Sequence, residues 1–141
     1  MKHNLYNCEM MDKTILDCTK HNKTQQENRQ FIEGDPQAIL MCEIKAETVE
    51  VAKKLANNLV LDIEKSKLSY AFPTLIGKEI NKANNLRSAG LGLLGNMIGD
   101  RKSAACIEDT AVALPDLSNY IQEFTKLMKS HNQDAIYYAH A

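Results

Sequence analysis

The spacing of apolar residues along this chain switches between a period of two, a continuous apolar run and a helical three-and-four repeat, and turn residues or caps mark most of the switches. Residues 5–10 predict a short strand, and Asp12 then caps a helix to about Lys20 with Ile15 and Leu16 on its inner face. The stretch from His21 to Arg29 is too hydrophilic for a core element and reads as an exposed loop with at most one helical turn; Gly34-Asp35-Pro36 marks a turn after it. Ala38-Ile39-Leu40-Met41-Cys42-Glu43-Ile44 is a continuous apolar run, short enough for a strand buried on both faces, and is expected at the centre of a sheet.

From Glu47 to about Lys65, Ala52, Leu55, Ala56, Leu59 and Ile63 recur at helical spacing opposite lysines and acids, which predicts an amphipathic helix packed on that sheet. Residues 68–72 alternate with period two and end at Pro73, which suits a strand that stops where proline cannot donate to the ladder. A helix is expected from about Lys78 toward Leu94, weakened in its second half by Gly90, Gly92 and Gly95, which permit close backbone approach. Residues 104–112 predict another strand. Pro115-Asp116 opens a helix carrying Leu117, Tyr120, Ile121, Phe124, Leu127 and Met128 on one face, and residues 134–139 a final strand. The sum is an α+β chain, ferredoxin-like in outline, with an antiparallel or mixed sheet and helices mainly on one face.

Composition narrows the function classes. The 141 residues suffice for one domain, and 44% hydrophobic content with a net charge of -1 leaves no electrostatic footprint for nucleic acid or an anionic membrane. The start lacks the apolar stretch of a signal peptide and no segment approaches the roughly 18 apolar residues of a membrane span, so the chain reads as cytoplasmic. The four cysteines, Cys8, Cys18, Cys42 and Cys106, lie far apart with no C-x-x-C pairing and read as reduced thiols without a redox role; Cys42 and Cys106 sit in apolar runs as small hydrophobes. No G-x-G-x-x-G or Walker motif is present, so a dinucleotide is not held by those routes.

Four stretches could carry chemistry. Arg87 stands on an otherwise apolar helix among small residues; it can grip a carboxylate through two parallel hydrogen bonds, or close a surface salt bridge, which charge alone favours. Glu108 and Asp109 interrupt an apolar stretch, where carboxylates must be paired, hydrogen-bonded or turned outward. His140 is a candidate metal ligand or base, or else the edge histidine of a final strand; alone it makes no metal site. In Cys8-Glu9-Met10-Met11-Asp12 two carboxylates are separated by apolar residues, and Asp12 as a helix cap is the preferred reading. A strand that delivers His140 one residue before Ala141 reads as a boundary set inside a longer protein.

Together, Glu9-Met10-Met11-Asp12-Lys13, Glu33-Gly34-Asp35-Pro36, Tyr70-Ala71-Phe72-Pro73, Leu86-Arg87 through Gly90-Leu91-Gly92-Leu93-Leu94, Ile107 through Val112, and Tyr138-Ala139-His140 occur in a recognisable order. Over nearly its whole length the chain resembles the C-terminal, substrate-side domain of FAD-linked oxidases. That family includes D-lactate dehydrogenases, glycolate oxidase subunits and D-2-hydroxyglutarate dehydrogenases, and the likeness is greatest to the large bacterial branch that fuses flavin and iron-sulfur modules. The resemblance implies a parent enzyme that oxidises a D-2-hydroxy acid with FAD. This chain would be a fragment of it without the flavin-binding domain, inactive and without a tight FAD site by itself.

On the same resemblance, Arg87 matches an arginine that contacts the substrate carboxylate and His140 the first histidine of a pair that holds a divalent metal, the second falling beyond residue 141. Glu108 and Asp109 match an acidic pair near the active-site cleft. Some members carry a lysine where this chain has Ile107, to hold a second carboxylate; its absence favours a monocarboxylate such as D-lactate over 2-hydroxyglutarate. Ala113 replaces a common proline and affects only the loop before the last helix. An iron-sulfur cluster, if the parent has one, lies outside this segment. From a different class, a stand-alone ferredoxin-like module that binds a small molecule or regulates a partner remains open, as does a scaffold domain without a ligand.

Overall fold

The computed structural model describes residues 3–97, 99–100, 102–107 and 110–140. Its elements run in the order β1 (Asn7–Asp12), α1 (Lys13–Lys20), β2 (Ala38–Glu43), α2 (Val49–Glu64), α3 (Ile80–Leu93), α4 (Leu114–Ser130) and β3 (Tyr138–His140), an α+β arrangement. The sheet is antiparallel in the order β2-β1-β3. The central strand is therefore β1, not the apolar run of β2. An apolar run marks burial, whereas centrality is decided by which strand finds two partners, and Leu40 in the middle of β2 is 56% exposed.

The β1–α1 junction is built by one residue. Asp12 Oδ1 accepts from the Ile15 backbone N–H at 3.1 Å and caps α1, while Oδ2 accepts from the Tyr137 backbone N–H at 2.7 Å. Asp12 N in turn donates to the Tyr137 carbonyl at 3.1 Å. The residue that stops the strand thus starts the helix and anchors the approach to β3, satisfying an orphan donor of the first helical turn on the way.

Alternation along β1 sends Met11 to the side that α1 and α3 cover. Met11, Ile15, Leu16 and Leu86 form the fully enclosed core, with Phe31, Ile32, Ile39, Met41, Leu94, Ile136 and Tyr138 packed around it. Helices α1 and α3 cross closely at Gly90: a Cβ there would lie 2.6 Å from Ile15 Cγ2. Gly92 and Gly95 have open space at that position, so only the first of the three glycines is needed for the approach. The hydrophilic segment after α1 forms two short 3-10 turns, and Arg29 Nη1 reaches back from the second to the Leu16 carbonyl at 2.6 Å and to Thr19 Oγ1.

Two expected strands do not form among the described residues. Residues 68–72 are irregular, with Leu68 at 88% exposure and the Tyr70 hydroxyl donating to the Glu33 carbonyl; alternation over so few residues gains nothing without a neighbouring ladder. Residues 104–107 and 110–112 are likewise irregular and mostly exposed, in keeping with alanine's poor fit to a pleated surface, and Cys106 is exposed rather than packed. The last strand is shorter than expected, and the Tyr137 N–H just before it is engaged by the Asp12 side chain. Helix α4 meets that segment through Phe124, edge-on to the Tyr137 ring at 6.3 Å, and through Thr125 Oγ1, 2.8 Å from the Tyr137 hydroxyl.

Candidate functional site

The face of β1 that carries Met11 also carries Glu9, and Glu9 pairs in register with His140 of β3. On α3, Ala83, Leu86 and Gly90 are buried, and Arg87 falls within the same stripe, four residues after Ala83 and three before Gly90. The strand alternation and the helix repeat therefore aim a carboxylate, an imidazole and a guanidinium at one place.

Glu9, with a side chain only 14% exposed, is the hub. Its Oε2 lies 2.5 Å from Arg87 Nη2, and its Oε1 lies 3.1 Å from His140 Nδ1 and accepts from Asn7 Nδ2 at 3.2 Å. The Arg87 contact is close but poorly aligned, so that Glu9 Oε2 has no geometrically sound hydrogen bond and the pair is held chiefly by charge. The Arg87 guanidinium carbon sits 4.2 Å from the centre of the Tyr138 ring, a cation–π arrangement, and the Tyr138 hydroxyl donates weakly to the Arg87 carbonyl at 3.4 Å. Burial raises the Tyr138 phenol above its ordinary pKa, aided by the Glu9 charge and opposed by Arg87. Arg87 Nε is buried without a hydrogen-bond partner among the described residues. An unsatisfied buried donor is costly, and here it sits beside two others of the same fork, the geometry that suits a carboxylate.

Of the residues singled out from sequence, Arg87 and His140 are thus brought together through Glu9. Arg87 does close an ion pair, as charge alone favours, but in a half-buried setting rather than on open surface. His140 is 72% exposed on an edge strand and bound to Glu9. Glu108 and Asp109 lie outside the described residues. In the sequence the hub is one of two carboxylates in the Cys8–Asp12 stretch, and the alternation Asn7, Glu9, Met11 is the signal that places it on the covered face.

No group of three or more His, Cys, Asp or Glu side chains among the described residues could hold a metal. The acid beside His140 is already engaged by the Arg87 cation, so the described set does not fit a divalent ion. A cleft of about 530 Å³ elsewhere, lined by His3, Leu5, Lys45, Leu55 and Asp62 among others, is separate from this cluster, and none of its lining residues takes part in it. No helix among the described residues is long and apolar enough to cross a membrane.

The family model for FAD linked oxidases, C-terminal domain, matches residues 1–141. The chain belongs to this family. It is 44% identical over 52 residues to D-2-hydroxyglutarate dehydrogenase of Pantoea ananatis (strain AJ13355), a stretch that is 37% of this chain and 5% of that protein. It is 40% identical over 53 residues to D-2-hydroxyglutarate dehydrogenase of Haemophilus influenzae (strain ATCC 51907 / DSM 11121 / KW20 / Rd), 38% of this chain and 5% of that protein. The matched stretches therefore span about 5% of each relative's length. No solved structure matches the chain.

Proposed function

We propose that this chain supplies the substrate-side wall of an FAD-dependent oxidoreductase acting on a D-2-hydroxy acid, with Arg87 receiving the substrate carboxylate. The observation that carries the reading is the setting of Arg87: half-buried, set over the Tyr138 ring, and holding an Nε–H without a partner among the described residues. A guanidinium fixed in this way presents a planar fork, which a flexible ammonium cannot reproduce. The flavin would be held by a separate domain of the parent protein and would carry the redox chemistry. His140 stands beside the same Glu9 carboxylate; a metal at it would need ligands beyond the described residues.

Within this substrate class, the names of the two relatives support D-2-hydroxyglutarate. Ile107 in place of a lysine supports the second reading, a monocarboxylate such as D-lactate, but its side chain is 52% exposed in an irregular segment. The dicarboxylate is therefore the favoured ligand.

The test is a titration of the chain with D-2-hydroxyglutarate, D-lactate and their L enantiomers, followed by amide and guanidinium NMR, on the natural sequence and on Arg87→Lys. Saturable shifts at Arg87, Tyr138 and His140 with the D acids, weakened on the order of tenfold in Arg87→Lys, are expected from loss of a bidentate contact. Shifts that do not saturate, or an Arg87→Lys chain that binds equally well, would remove Arg87 from the substrate site.

A further inference from the structure

Cys8 and Cys42, distant in sequence, stand directly opposite each other across β1 and β2, with their sulfurs 3.9 Å apart. Strand alternation puts them on the sheet face opposite Glu9 and Met11, beside the paired Met10 and Leu40, and both are half-buried, within reach of a small reagent. We propose that Cys8 and Cys42 form a peroxide-reactive dithiol, in which Cys8 is the attacking sulfur, Cys42 the resolving one, and the product a disulfide that staples β1 to β2.

The assignment of roles follows from the surroundings. Either sulfur of the pair can donate to the other; with Cys42 as the donor the Cys8 thiolate is stabilised, the His140 charge adds to this, and against burial and the Glu9 charge the net effect lowers Cys8 to about 7. Cys42 moves the other way, upward, because it donates that hydrogen bond, is buried, and faces the Cys8 charge. Cys18 is raised by burial and by the charges of Asp17 and Asp12. A thiolate attacks and a thiol does not, and the direction of these shifts makes Cys8 the attacking sulfur of the facing pair and Cys42 the resolving one.

The chemistry balances with a hydroperoxide as oxidant. Cys8 thiolate attacks the peroxide oxygen, an S–O bond forms and the O–O bond breaks, and the departing alkoxide or hydroxide takes up the proton that Cys8 released. Cys42 sulfur then attacks the sulfenic sulfur of Cys8, the S–S bond forms, and hydroxide leaves with the Cys42 proton as water. Two thiols lose two electrons and two protons; the peroxide is reduced to two waters, or to water and an alcohol.

The experiment treats the reduced chain with hydrogen peroxide at pH 7 under exclusion of metals and follows it by intact mass and peptide mapping. The expected product has lost two hydrogen atoms, has two of its four thiols left to react with an aromatic disulfide reagent, and yields a Cys8–Cys42 cross-linked peptide. Cys8 should be consumed on the order of tenfold faster than Cys18, since a thiol near 7 is about half ionised at pH 7 and an ordinary one only a few per cent. In Cys42→Ser, Cys8 should stop at the sulfenic acid and be trapped by a cyclic 1,3-dione. A sulfinic acid at Cys8 with Cys42 still free in the natural chain, a disulfide between two chains, or Cys8 reacting no faster than Cys18 would each overturn the proposal, and these readouts on the unmutated chain hold whether or not the variant folds.

Discussion

Arg87 Nη2 stands 2.5 Å from Glu9 Oε2, so the cation proposed to receive a substrate carboxylate already faces one of the chain's own. The two carboxylates compete for the same fork. Glu9→Gln keeps the shape of the side chain and its amide oxygen but removes the charge that offsets the guanidinium. We expect it to tighten binding of a D-2-hydroxy acid severalfold while lowering the stability of the chain by about 1–3 kcal/mol, the usual range for stripping one partner from a partly buried pair. Calorimetric titration and urea unfolding measure the two effects separately. Weaker binding in a well-folded Glu9→Gln chain would show that Glu9 presents Arg87 to the ligand rather than competing with it.

Asp12 joins three elements through its two carboxylate oxygens, and its variants should separate those contributions. Asp12→Ala loses the α1 cap and the acceptor for the Tyr137 N–H together, at about 2–3 kcal/mol in all. Asp12→Asn retains one oxygen and cannot serve both donors, so its cost should fall near half of that. Amide exchange decides where the loss appears: faster exchange at Ile15 reports the cap, and at Tyr137 the tie to β3. If Asp12→Ala changed the Ile15 amide alone, the Tyr137 contact would contribute nothing to stability.

These two residues mark the line between what could be read from the chain and what could not. Asp12 as a cap, the helices at α1, α2 and α4, and the bend at Gly34 follow from local rules, because a cap or an amphipathic stripe is specified by residues a few positions apart. The strand expected at 68–72 has a sound local pattern and still does not form, since a strand exists only with a partner and periodicity names none. The same reason hid the centrality of β1 and the opposition of Cys8 and Cys42. Arg87 and His140 were each visible in the sequence. Their meeting at Glu9 depends on β3 pairing with β1 and on α3 covering that face, which are facts of topology.

Gly90 offers a test of how tightly that covering is specified. Alanine is the better helix former by about 1 kcal/mol, yet at position 90 its Cβ would meet Ile15 Cγ2 at 2.6 Å. A β-branched side chain, fully buried, cannot rotate away, so α1 and α3 must separate, and overpacking of this kind costs about 1–3 kcal/mol. The net expectation is a lower urea midpoint for Gly90→Ala, despite its higher intrinsic helicity. Combined with Ile15→Ala, which removes the obstructing methyl, the added cost of Gly90→Ala should vanish or change sign. A double-mutant cycle with no coupling would mean that the helices yield without penalty.

The pH dependence of stability should carry a signature of Asp35. Its carboxylate takes contacts from Lys13 Nζ at 2.8 Å and Lys20 Nζ at 2.6 Å, joining the Gly34-Asp35-Pro36 turn to α1. Those two hydrogen bonds, from Lys13 first and then Lys20, hold its pKa at about 2, below the ordinary aspartate value of 3.8. At neutral pH the group is charged in the folded and unfolded chain alike, and the contribution of the pairing is fully present. As the pH falls below 3.8 the unfolded chain takes up a proton that the folded chain refuses until about 2, so stability is lost across that interval and changes no further below it. Urea midpoints measured from pH 5 downward should therefore fall more steeply for the natural chain than for Asp35→Asn, and the two curves should converge at the acid end. Because the cluster is exposed, added salt should narrow the gap between them at neutral pH; parallel curves at low salt would show that the lysines follow Asp35 without stabilising the fold.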